Sequence, residues 1–134
     1  MINTKNIDGD SPIRTKTFYG RAAADTLTTG ADKGVVPIVG LDAYGGEVIR
    51  VDAMAGTAPA GSALQLVINN GSTLLASISF SAGSATTNTT TITNNGTVSD
   101  GDYLDIDCTA IGSGTAGGNV LVAVTVKVHG SIEG

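Results

Sequence analysis

Four aspartates fall within the eight residues Asp100-Gly101-Asp102-Tyr103-Leu104-Asp105-Ile106-Asp107. Carboxylates this dense can hold a hard cation through oxygen ligands or divide acid and base roles between them. On an extended strand Asp105 and Asp107 share one face, with Asp100 and Asp102 supplied by the preceding turn. The spacing is not that of an EF-hand calcium loop. The leading reading is therefore a solvated acidic face plus an Asp-Gly turn, and a calcium ion is the competing one. A glycosidase pair would need an apolar pocket and an aromatic sugar platform, and neither is visible around these residues. Cys108 lies on the inward phase of the same strand, where a cysteine acts as a small hydrophobe. The chain's one histidine, His129, stands far from it in sequence, so a Cys-His nucleophilic pair has little support. The glycine-rich stretches 56–61 and 112–118 lack the Lys-Ser/Thr ending of a phosphate-binding loop. No catalytic, cofactor or metal residue is assigned, and no cofactor is expected.

The elements around these residues read as short strands. In Glu47 to Met54, Ile49, Val51 and Ala53 alternate with Arg50 and Asp52, the period of a half-buried strand. Leu64, Leu66 and Ile68 share a face, Asn69-Asn70-Gly71-Ser72 makes a turn, and Leu74, Ala76, Ile78 and Phe80 resume the pattern as a hairpin. A Thr-rich stretch, 86–93, favours extended backbone. Tyr103 to Thr109 sets Leu104, Ile106 and Cys108 inward. The last strand, Asn119 to Val128, puts Val122, Val124, Val126 and Val128 on one face; Leu121, Ala123, Thr125 and Lys127 form a second face apolar enough to meet another subunit. Val35 to Val39 is demoted to an edge or irregular strand by Pro37. Roughly seven or eight short strands without a convincing helix define an all-β protein, an antiparallel β-sandwich of the jelly-roll type. The absence of tryptophan and of a cysteine pair removes the landmarks of an immunoglobulin core.

Residues 1–33 show no steady period and are read as an extended N-terminal arm ordered by partner subunits, with residues 34–134 as the β-sandwich domain. Ala22 to Leu27 is long enough for one turn of helix. Of the seven basic residues, five lie in the arm, which carries a net +1; the body carries −6 and would repel a phosphate backbone. Nucleic acid is therefore not expected as a partner. A membrane is not expected either, because no apolar run reaches the roughly 18 to 20 residues of a span. The opening residues lack the apolar core of a secretory signal, so synthesis in the cytosol is expected. Aromatics make up only 4% of the chain. Those in contact-prone places are candidates for burial between subunits. The candidate interface set is Ile7, Ile13, Arg14, Lys16, Phe18, Tyr19 and Arg21 on the arm, with Tyr44 on the body.

The body as a whole resembles a family. Ile49-Arg50-Val51 opens a strand, Ser62 to Ile68 follows a Pro-Ala-Gly turn, Val98 to Ile106 carries the Gly-Asp turn, and Val120 to Val126 closes the domain. In this order they resemble the small β-sandwich virion proteins of tailed bacteriophages: capsid decoration (cement) proteins, with fibre modules near them in pattern. The resemblance covers about 100 residues. It implies a homotrimer without catalytic apparatus, made in the host cytoplasm and bound to the major capsid protein on the virion's outer surface. A tail or head fibre component and a carbohydrate-binding sandwich are the alternatives. The shortage of aromatics weighs against sugar binding, and the lack of a shaft against a fibre.

Overall fold

The computed structural model describes residues 14–41 and 43–129. Nine strands follow one another: β1 Thr15–Ala22, β2 Gly30–Pro37, β3 Gly46–Thr57, β4 Leu64–Asn70, β5 Thr73–Phe80, β6 Thr86–Thr89, β7 Thr97–Val98, β8 Tyr103–Ala110 and β9 Gly118–Val128. Their spatial order is β5-β4-β8-β2-β1-β9-β3-β6, with β7 also on β3. Every pairing is antiparallel.

The path divides naturally into two four-stranded halves, β5-β4-β8-β2 and β1-β9-β3-β6. The seam between them is short, since β1 and β2 register only at Arg21↔Val35. At that seam Gly20 and Gly34 let the backbones touch: a Cβ on Gly20 would run into the Val35 carbonyl, and one on Gly34 into that of Arg21. At the far side no ladder joins β5 to β6. The turn after β6 closes that gap, with Thr93 N–H donating to the Leu75 carbonyl at 2.8 Å and Thr93 Oγ1 to that of Leu74 at 2.7 Å. Apart from the β4–β5 hairpin and the short β7, successive strands switch halves, which is the jelly-roll path expected from the sequence.

Alternation builds the core. Val120, Val122, Val124 and Val126 of β9 are all fully buried and face Leu64, Leu66, Leu104, Ile106 and Phe80 across the interior. Each such aliphatic side chain removed from water contributes about 1.5–3 kcal/mol. In the β4–β5 hairpin, Asn70 pairs with Thr73, leaving Gly71-Ser72 as a two-residue turn. Gly71 takes φ +63°, the left-handed value required at the first central position of a type II′ turn.

Several expectations are corrected. The region 1–33 is not an arm throughout: Thr15–Ala22 is a central strand held along its whole length by β9, and β2 begins at Gly30. Alternation is hard to see in β1 because one of its inward positions is Gly20, which leaves Phe18 and Ala22 as its buried side chains. Ala22 ends the strand, and no helical turn follows it. A bulge between Val48 and Arg50 turns Ile49 outward, where it is exposed, and places Val48 in the core instead. A second irregularity opposite Ile68 and Asn69 does the same in β5, so Leu75 is buried and Leu74 is not. The Thr-rich stretch is a strand only over Thr86–Thr89.

Candidate functional site

The acidic segment is used by the fold. Asp100 Oδ1 accepts the backbone N–H groups of Gly40 at 2.7 Å and Leu41 at 3.2 Å, tying the β2–β3 loop to the turn before β8. Asp102 Oδ2 accepts from Ser99 N–H and from Asn70 Nδ2. Asp107 accepts the Asp32 N–H on Oδ1 and Asn69 Nδ2 on Oδ2, both at 2.8 Å. Asp105 lies between Val35 of β2 and Asn69 of β4 in the register. Partial burial raises its carboxyl above the ordinary value, and the charges of Asp32 and Asp107 add to the shift. Three of the four carboxylates thus have their oxygens engaged by amides. No group of three or more His, Cys, Asp or Glu side chains is arranged to hold a metal ion among the described residues.

Cys108 is buried on β8, opposite Gly30 and Leu66, and burial pushes its thiol up. His129 follows β9 at the other half of the sandwich, with Nε2 at 3.6 Å from Glu47 Oε1. The fold does not bring the two together as a nucleophile and base. Arg50 pairs with Asp52 at 2.9 Å, and both are exposed. Solvent screens such an exposed pair, and it adds little to stability.

The candidate contact residues separate into groups. Ile7 and Ile13 lie outside the described residues. Arg14, Lys16 and Tyr19 are exposed around the open end of β1. Lys16 Nζ donates to the Gly40 carbonyl at 2.7 Å. Arg21, at the other end of the strand, donates from Nη1 to Asn119 Oδ1 at 2.7 Å. Phe18 is only 7% exposed and belongs to the core, a correction that follows from its inward phase on β1. Tyr44 is 63% exposed on the loop entering β3.

Two surface concavities accompany them. One, of about 480 Å3, runs along the β1–β2 seam and is lined by Lys16, Thr17, Phe18, Tyr19, Pro37 and Val39. The other, of about 290 Å3, lies on the outer face of β9, β3 and β6, among Asp52, Met54, Thr86, Asn88, Leu121 and Ala123. Val39, Met54 and Tyr103 are strongly exposed apolar residues that the sequence reading did not single out. Met54 could have been found by continuing the Arg50, Asp52 phase one step, and Tyr103 by continuing the Asp105, Asp107 phase backwards.

The fold defines the chain as a small jelly roll whose polar groups serve mainly to fasten loops. No family profile and no curated protein sequence matches it. Among solved structures it is similar to a chain of the cyanophage Pam1 capsid asymmetric unit, with a TM-score of 0.54 and 20% identity. The superposition covers 96% of this chain and 98% of that one, so the shared fold spans nearly all of both.

Proposed function

We propose that this chain is a capsid decoration (cement) protein of a tailed bacteriophage: a non-enzymatic jelly roll that binds the outer capsid surface as a homotrimer and stabilises the shell. The observation that carries this reading is the end-to-end likeness to a chain of similar length from a phage capsid asymmetric unit. The use of Asp100, Asp102 and Asp107 as loop fasteners, and a thiol buried away from the one histidine, support a structural role over a chemical one. The partner is the major capsid protein, contacted through residues 1–13, including Ile7 and Ile13, and through exposed Arg14, Lys16, Tyr19, Arg21 and Tyr44. Binding to the assembled shell alone favours that state by mass action. The outer face of β9 and β3, with Leu121, Ala123 and Met54, is assigned to contacts between copies.

An electron-microscopy map of the virion carrying the chain tests the location. Jelly-roll density on the outer shell supports the proposal, and density on the tail alone overturns it. Light scattering tests the assembly: a mass three times 13.3 kDa is expected, and a stable monomer at 13.3 kDa excludes the trimer.

A further inference from the structure

Among the described residues, part of the first strand has a backbone edge without a neighbour. Val128 N–H donates to the Arg14 carbonyl, which makes Arg14 and Val128 a hydrogen-bonded pair. Antiparallel ladders alternate, so Lys16 and Phe18 also bond to β9, while Thr15 and Thr17 turn their N–H and C=O groups the other way. On that side β2 has diverged. Its register with β1 is confined to Arg21↔Val35, and Pro37, further along, has no N–H to give. Among the described residues no β1–β2 ladder pair and no loop backbone group meets Thr15 or Thr17 across this gap. The concavity of about 480 Å3 lies there, rimmed by Tyr19 and Val39, which are 60% and 62% exposed.

Among the described residues, the charged side chain lining this concavity is Lys16. Arg14 and Lys16 stand exposed beside it. Asp100, which reaches the loop after β2, has Oδ1 turned to the amides of Gly40 and Leu41. Lys16 donates to the Gly40 carbonyl, a bond in which only the donor is ionised, so a carboxylate arriving there adds the opposite charge that the carbonyl lacks. A lysine placed on an open strand edge also discourages indiscriminate pairing.

We infer that the Thr15–Phe18 edge of β1 is a docking site for a short extended segment of another polypeptide, which adds as a strand and carries a carboxylate to Lys16. Main-chain bonds to Thr15 and Thr17 supply affinity, and the Tyr19–Val39 rim and Lys16 supply selectivity. In the capsid reading above, the segment belongs to a shell subunit, and the inference rests on that reading only for this partner's identity.

The test uses the full chain and two synthetic seven-residue peptides of alternating valine and threonine, one with a central glutamate and one with a central lysine. Amide hydrogen exchange of the chain alone is expected to be at least about tenfold faster at Thr15 and Thr17 than at Lys16 and Phe18. The glutamate peptide should slow Thr15 and Thr17 selectively and bind about tenfold more tightly than the lysine peptide. Lys16→Glu should invert that preference, and Thr17→Pro should abolish binding of either peptide while leaving the bonds to β9 in place. Three results overturn the inference: equal protection along β1 in dilute chain alone, protection that appears only as the chain is concentrated and so identifies a second copy as the occupant, or no protection by the glutamate peptide at millimolar concentration. Capsid co-sedimentation in parallel separates the two proposals, because capsid binding can persist when the edge takes no peptide.

Discussion

Asp100 Oδ1 accepts the backbone N–H of Gly40 at 2.7 Å, joining the turn before β8 to the loop after β2 across 60 positions of sequence. The same oxygen accepts from Leu41, a buried residue, so the carboxylate fixes where the β2–β3 loop re-enters the core. Replacing it, Asp100→Ala, leaves two amides without their acceptor. A loss of about 1–2 kcal/mol is expected in urea unfolding, with the slope of the transition unchanged.

Gly20 is required by the closeness of β1 and β2, not by its dihedral angles. In Gly20→Ala the new methyl meets the Val35 carbonyl and the Val36 side chain. Forcing the strands apart at their one registered position costs about 1–3 kcal/mol. Calorimetry should show a lower melting temperature, whereas Gly71→Ala, whose methyl meets nothing within 4 Å, should lose only the roughly 1–2 kcal/mol that a side chain costs at φ +63°.

Asp105 gives a pH dependence with a definite sign. Its folded carboxyl is raised, first by burial and then by Asp32 and Asp107, so the folded state prefers the protonated acid. That contribution to stability is fully present below the ordinary carboxyl value of about 3.9 and is lost as pH rises through the higher folded value. Asp105→Asn should therefore raise the melting temperature at about pH 7 and leave it unchanged at about pH 3. A lower melting temperature for the variant at neutral pH contradicts the assignment.

Cys108 should be silent in the native protein. It is 3% exposed, and burial holds its thiol above the usual range. Reaction with an aromatic disulfide reagent is expected to be at least about a hundredfold slower in buffer than in denaturant, and to track global opening.

Much of the fold is legible in residue order. The β4–β5 turn at Gly71, the inward Leu104-Ile106-Cys108 phase of β8 and the inward valines of β9 all follow from period-two alternation with turn chemistry between. Alternation fails where geometry interrupts it. The bulge after Val48 exchanges Ile49 for its neighbour in the core, and nothing in the residue types marks that extra residue. β1 was hidden for a different reason: its place beside β9 is settled by a partner about a hundred residues away, and Gly20 blanks one of its few inward positions. The proposed contact surface is less legible still. Arg14, Lys16 and Tyr19 are visible as types, but the edge at Thr15 and Thr17, open among the described residues, follows from β2 leaving the register with β1 at Val35.

The pairing of β1 with β9 also sets a timetable. Thr15 finds its partner in Lys127, and Ala22 in Val120, so the first described strand waits for the last. In the finished sheet β9 separates β1 from β3, and neither has another full-length neighbour. During synthesis the β4–β5 hairpin can close within moments of its own emergence. The half built on β9 cannot form until Val128 has left the ribosome, and β1 stays unpaired with β9 for that interval.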